Sequence, residues 1–335
     1  MNALTLPFSV LSNLDGKPEP TSVSLDDVMQ AADSLCRTDC FNPTEERLKA
    51  LNVMKSAIDR IDPQTYVDFC EYGIRYPKEN LPKFYEEHPA LYWYDKSFDR
   101  VLEGVKNASV PEGQVFLWLV YNMGYVVKTP TKCFAIDLHH RRAEELVPFL
   151  DFCCITHNHD DHYTIRFATQ MDHCGKPVLT NFWPNAGYPQ TDAAAGYSKE
   201  PTRTLDFGDV VVTTYESDHN AKLRKFVQPV EIHCRTGNKT CVIYSSGDSC
   251  NPQQLRIAAE KPDFWIVHPY VGLDIAEGAR RLRPAMTLCS HLVEFHHHID
   301  KWRWTFRQGY DAAQKVWNEG LDAVVPVWGD RIVFK

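Results

Sequence analysis

The sequence predicts an α/β layered domain, strands mixed with helices around two sheets, behind a helical N-terminal part. Three observations carry this. Up to about Pro111 the apolar residues follow a helical period, and from Gly113 they fall into short strand-like runs. Beyond that point strands alternate with helices, the pattern that stacks helices on sheets. The run His157-Asn158-His159-Asp160-Asp161-His162 lies between a strand-like stretch, 152–156, and a helix-like one, 163–174. A strand-to-helix loop is where a rigid scaffold aims side chains at one point.

In the first part, Ser24 precedes Leu25, Val28, Met29, Ala32, Leu35 and Cys36, which share one helical face. Thr44 is placed to cap a second helix, with Glu45 and Glu46 in the first turn, where carboxylates meet the positive end of the helix dipole. That helix turns Leu48, Leu51, Met54, Ile58 and Ile61 inward and is expected to stop at Asp62-Pro63. A third, short helix carries Tyr66, Phe69 and Cys70. After the proline-punctuated aromatic stretch 77–94, a fourth shows Phe98, Val101, Leu102 and Val105. Residues 1–112 carry no catalytic motif and read as a cap on the main domain, or as a substrate-shaping or dimerisation element.

Residues 113–335 form the expected catalytic domain. Strands are expected at 115–121, 125–128 and 133–137, then a helix at 141–147 stopped near Pro148. A strand at 152–156, a helix at 163–174 and a strand at 178–180 follow. The long stretch 181–201, with glycine, proline and aromatics, is a candidate lid or pocket wall. Further strands are expected at 210–215, 227–234 and 240–245, the last two joined by the turn Thr236-Gly237-Asn238-Lys239. Pro252 opens a helix, strands follow at 264–267 and 286–289, and 299–318 reads as a long helix bearing Trp302, Phe306 and Tyr310. The chain ends in strands at 323–327 and 332–334.

With 44% hydrophobic and 24% charged residues, the 335-residue chain has the composition of a soluble globular protein. A formal charge of −8 argues against general nucleic-acid binding, though not against a small basic pocket. The eleven cysteines are an odd number without disulfide-framework spacing, and several, such as Cys153 and Cys154, lie in apolar runs. They read as reduced, mostly buried thiols of a cytoplasmic protein. No C-x-x-C occurs, and Cys36 and Cys40 fall on helix-like spacing, so no thiolate zinc site is expected. Met1 to Gly16 shows no basic region and no long apolar run, which speaks against a signal peptide, and nothing approaches the roughly 18 apolar residues of a membrane span.

The spacing H-x-H-x-D-H places four metal-ligand types within six residues, where imidazoles suit zinc, iron or manganese and the carboxylate adds a hard ligand. The alternative is a polar loop that happens to be His-rich. Three more candidates follow expected strands: His219, Asp248 in Ser246-Gly247-Asp248-Ser249, and His291. With Asp137 closing a strand, His157-x-His159-x-Asp161-His162, Phe207-Gly208-Asp209, His219, Gly247-Asp248 and His291 in this order, the chain resembles the metallo-β-lactamase superfamily of dinuclear hydrolases over about residues 113–335. The resemblance implies a four-layer αββα sandwich with the metal site at one edge. It implies one divalent ion on His157, His159 and His219, a second on Asp161, His162 and His291, and Asp248 bridging. Asp161 and Asp248 are then the catalytic carboxylates, and Asp137 orients a ligand imidazole from behind. Two ions would lower the pKa of a shared water and yield a hydroxide nucleophile. Within the superfamily the pattern looks most like the ascorbate-6-phosphate lactonase-like branch.

Other residues have two readings each. One of His296, His297 and His298 is a rival ligand or general acid, or the three are a surface loop. His268 and Tyr270 line the pocket or are structural, and His139 and His140 lie near the site or cap the next helix. His88, His173 and His233 read as structural. Glu216 and Asp218 flank His219 and are not needed as ligands. Arg280, Arg281 and Arg283 grip an anion or end a solvated helix. The leading expectation is a metal-dependent hydrolase of a small anionic ester, a lactone or phosphodiester, with zinc ahead of manganese or iron and homo-oligomerisation left open. The alternatives are a dinuclear iron oxygenase on the same fold and a metal-binding regulatory protein.

Overall fold

The computed structural model describes residues 23–72, 74, 76–182, 200–298 and 301–335. Most of the stretch 181–201, expected as a lid or pocket wall, lies outside these residues, as does Met1 to Gly16.

Five α-helices come first: α1 (Leu25–Arg37), α2 (Glu45–Ile58), α3 (Pro63–Cys70), α4 (Leu81–Glu87) and α5 (Pro89–Asn107). Ser24 and Asp27 close a capping box on α1, each side chain accepting the other's backbone N–H. Thr44 caps α2. The second helix ends at Ile58 rather than at Asp62-Pro63, because Asp62 already serves as the cap of α3, with Pro63 in its first turn. The aromatic stretch 77–94, expected between helices, is split between α4 and the start of α5, whose first turns bury Leu91, Trp93 and Tyr94.

The rest of the chain forms β1 (Val115–Tyr121), β2 (Gly124–Lys128), β3 (Cys133–Ile136), β4 (Phe152–Cys154), α6 (Ile165–His173), β5 (Val178–Leu179), β6 (Arg203–Asp206), β7 (Val210–Thr214), β8 (Val230–Thr236) and β9 (Lys239–Ser245). It continues through β10 (Phe264–Val267), α7 (Ile275–Leu282), β11 (Met286–Cys289), α8 (Phe306–Asn318), β12 (Ala323–Val324) and β13 (Arg331–Phe334). One sheet has the order β13-β1-β2-β3-β4-β5 and the other β12-β11-β10-β9-β8-β7-β6. In each, an antiparallel meander continues into parallel strands, with Trp118 opposite Val126 in one ladder and Ile266 opposite Leu288 in the other. β1, β3, β4 and β10 are buried at every residue, since both faces of their sheets are covered. α5 packs on β1, α6 on β5, and α8 on β11 and β12. The layers therefore run helix, sheet, sheet, helix, the αββα order expected.

Several elements differ from expectation in local detail. The helix expected at 141–147 is a 3₁₀ helix, Ala143–Phe149, that contains Pro148, and Pro252 opens only the short turn Pro252–Gln254. The last long helix starts at Phe306, not 299, because Thr305 and Gln308 form a capping box there. Trp302 precedes it in a left-handed conformation, φ 64°. β6 was not expected: it is an edge strand of alternating burial with charged ends. α7 was expected only through its end, the solvated helix end read at Arg280, Arg281 and Arg283.

The N-terminal helices share one hydrophobic core with the sheets. Trp93 of α5 stacks on Trp328 at 4.4 Å, Arg47 of α2 forms a buried ion pair with Asp330, and Arg303 donates to the carbonyls of Ile58 (3.2 Å) and Ile61 (2.6 Å).

Candidate metal centre

The centre is built where β3, β4, β9 and β11 end. Asp137, just past β3, takes the left-handed region (φ 46°) and turns its carboxylate to the start of the His-rich loop. Thr156 donates to it twice, from N at 2.7 Å and from Oγ1 at 2.8 Å. The Asp248 loop approaches the same spot, and Gly247 allows it: a Cβ there would lie 2.7 Å from Thr156 Oγ1. His291 follows β11 with φ 61° and donates its N–H to the Asn122 carbonyl at 3.1 Å. Asn122 lies in the hairpin turn between β1 and β2, and its Nδ2 donates to Asp161 O and Oδ2 at 3.1 and 3.2 Å. His219 is set by a turn in which its N–H reaches Leu223 O, and Gln254 holds the neighbouring Asp218.

All seven residues singled out as ligands converge, in two groups. His157, His159, His219 and Asp248 bring one potential ligand atom each to a common point, and Asp161, His162 and His291 bring theirs to another. Asp248 lies between them. Its Oδ2 is 3.4 Å from His219 Nε2, 3.8 Å from His291 Nε2 and 3.9 Å from His157 Nε2, while its Oδ1 is 3.2 Å from His162 Nε2. His291 Nε2 lies 3.0 Å from Asp161 Oδ2. Behind the first group, Thr156 Oγ1 is 3.1 Å from His157 Nδ1; behind the second, Asp137 Oδ2 is 3.2 Å from His162 Nδ1.

Electrostatics tie the cluster together. Burial alone would push the His162 imidazolium down, but Asp248, Asp161 and Asp137 outweigh it and hold its pKa well above the ordinary value. Burial likewise favours protonation of Asp248 and Asp161, yet the surrounding imidazoles hold both carboxyls well below the usual range. His157, fully buried beside His162, is pushed well below its ordinary value. The protein thus concentrates carboxylates and imidazoles that together demand positive charge. His162 Nε2, His291 Nε2 and Asp248 Oδ1 are buried without a hydrogen-bond partner, an expensive condition unless a cation takes the lone pairs. The donor set, carboxylate oxygen between two sets of imidazole nitrogens, fits a pair of divalent cations.

The cluster forms the floor of a cavity of about 470 Å³. His268 and Tyr270 both line it, His268 stacking on His291 with centroids 3.8 Å apart. Of the three consecutive histidines, His297 lines the cavity, whereas His296 packs edge-on against Tyr66 and His139. Glu294 orders this turn. It is fully buried and accepts the N–H groups of His296 (2.6 Å) and His297 (2.9 Å) and the His297 imidazole. Burial pushes its carboxyl up, and the His296 and His297 contacts outweigh that and bring it down to about 2. Asn122, Glu294 and Trp304 were not singled out from the sequence, and Trp302 was expected only on the last helix. Only Asn122 left a local trace there, as an Asn before Met123-Gly124 between two strands.

His139 is buried, its Nε2 bonded to Tyr66 OH at 2.9 Å, and His140 stacks on Tyr94 and Phe98; neither reaches the cavity. Arg280 pairs with Glu319, and Arg281 donates to Leu255 O, so these arginines tie α7 to its neighbours. All eleven cysteines are free thiols. Among the described residues no helix is long and apolar enough to cross a membrane.

No protein-family model matches this chain, and no curated protein does. Solved structures similar to it include the metallo-beta-lactamase fold protein YhfI from Bacillus subtilis, at 14% identity over 66% of this chain and 99% of that one, TM-score 0.46. Igni18, a metallo hydrolase from Ignicoccus hospitalis, is 18% identical over 66% of this chain and 99% of its own, TM-score 0.45. CmlA, a diiron beta-hydroxylase from Streptomyces venezuelae, is 16% identical over 68% of this chain and 55% of its own, TM-score 0.48.

Proposed function

We propose that this protein is a metal-dependent hydrolase of an ester bond, a lactone or phosphodiester. His157, His159 and His219 would hold one divalent cation and Asp161, His162 and His291 a second, with Asp248 placed between the two groups. The observation that carries this reading is the Asp248 carboxylate, buried between the two groups, with Oδ2 within 3.9 Å of His219, His157 and His291 and Oδ1 3.2 Å from His162. When bound, the two cations would supply a hydroxide nucleophile near neutral pH and Lewis acidity toward the attacked group.

The chain's own residues do the rest. Asp137 Oδ2, 3.2 Å behind His162 Nδ1, orients the imidazole so that Nε2 turns to the centre. Asn122 holds the Asp161 carboxylate in place to orient the attacking water. His297, backed by Glu294, stands on the cavity wall as the group that protonates the leaving oxygen. Zinc suits the ligand set best, and manganese or iron also suit it. The lactonase-like branch rests on the all-His/Asp ligand set and the short spacing of the motifs.

Elemental analysis of the purified protein is the test. About two ions per chain are expected, with fewer in Asp248→Ala and Asp161→Ala, followed by metal-dependent turnover of a lactone or a phosphodiester. Iron as the main ion, with an oxygen-dependent absorbance change, would favour the oxygenase alternative. Failure to take up metal on reconstitution would sink the hydrolase.

A further inference from the structure

We propose that the wall beside the metal centre is a subsite for a flat apolar ring, so that the substrate is an ester or lactone bearing an aromatic group. This rests on the hydrolase reading of the centre for the reaction, though not for the binding.

A series of rings leads away from the cluster. His268 stacks on His291 at 3.8 Å and 7°, Trp304 follows with its centroid 6.3 Å from that of His268, and Tyr270 stacks on Trp304 at 4.8 Å and 22°. Tyr270 is anchored by its hydroxyl, which donates to Gln308 O at 2.8 Å, so the wall is held by α8. Trp302 stands edge-on to the His297 imidazole at 5.6 Å and 87°. It is 65% exposed and has φ 64°. A bulky side chain in the left-handed region is strained, and an indole left in water gains nothing from burial, so folding alone does not account for its pose. Strain of this kind is characteristic of ligand-contacting positions. Val271 and Leu223 add apolar surface to the same lining.

The charge on the lining points the same way. Among the described residues it contains no lysine and no arginine, so no guanidinium or ammonium grips a phosphate or carboxylate there. Stacking on aromatic faces selects flat apolar groups, and a few polar groups at one end fix the reacting bond, the usual division in small-molecule pockets.

Two lactones of matched ring chemistry, γ-phenyl-γ-butyrolactone and γ-valerolactone, test the preference on the metal-loaded protein. Calorimetric titration with β-naphthol reads the subsite without turnover. The phenyl lactone is expected to have the higher kcat/KM, with the ratio falling about ten-fold in Trp304→Ala, the size of one good ring contact. β-Naphthol is expected to bind and to weaken by a similar factor. Trp302→Ala, at an exposed position that the fold does not need, should move both readouts in the same direction. Absence of naphthol binding, or binding indifferent to both substitutions, overturns the proposal. Trp304-dependent naphthol binding with neither lactone hydrolysed supports the subsite and counts against the lactone form of the hydrolase reading.

Discussion

At the residue scale, the loops around the centre carry unusual backbone conformations. Of the seven described non-glycine residues with positive φ, five are Asn122, Asp137, His291, Val293 and Trp302, all on segments that build the centre or its cavity. Such conformations persist only where surrounding contacts over-determine them, and here those contacts are visible: Thr156 on Asp137, Asn122 on His291 and Asp161. Asp137→Ala removes the acceptor behind His162 and is expected to weaken metal binding by about 10- to 100-fold, measured by chelator competition. A second prediction concerns His140, stacked on Tyr94 at 4.0 Å and Phe98 at 4.1 Å. Burial first, then Arg141 and Arg142, push its pKa well below the ordinary value. The unfolded chain therefore binds this proton more readily than the folded one. The stability contribution is complete above the unfolded pKa of about 6.5 and is lost as pH falls below it, by up to about 1.4 kcal/mol per pH unit. Denaturant midpoints followed from pH 7 downward should fall less steeply in His140→Phe than in the parent.

At the element scale, helix boundaries follow local hydrogen bonding wherever a cap is present. The box made by Thr305 and Gln308 sets the start of α8, and α8 carries Tyr310 and Phe306 into the core while its Gln308 carbonyl anchors Tyr270. Thr305→Ala is expected to cost about 1 kcal/mol, read from chemical denaturation. The caps of α1 and α2 were legible in sequence for the same reason: Ser24 and Thr44 act on their own neighbours. The start of the last helix was not, because apolar residues from Trp302 onward continue the helical pattern while the chain itself is still in a loop.

At the scale of the whole molecule, the N-terminal helices are bound to the sheets by contacts far apart in sequence. The buried pair of Arg47 and Asp330 spans 283 residues, and burial raises the Asp330 carboxyl while Arg47 opposes that. Arg47→Met leaves a buried carboxylate unpaired and is expected to cost about 3–5 kcal/mol by denaturation; adding Asp330→Asn should recover a large part. A loss below about 1 kcal/mol in the single variant would mean that the helices are only loosely attached.

By itself the sequence determined a helical N-terminal part, an α/β layered domain after it and the candidate ligands at strand ends, while the αββα order and the grouping of the ligands were implied by the resemblance. Apolar runs report strands and helices through periods of a few residues, and His157, His159, Asp161 and His162 share one loop, so their proximity is a local property. Only the tertiary structure decided which neighbours hold them. Asn122 meets Asp161 across 39 positions, Glu294 is folded under His297 by a turn without periodicity, and Trp304 and Tyr270 come together from separate segments. Such pairings arise when sheets and helices pack, and a contact between distant segments leaves no repeat in the chain from which to read it.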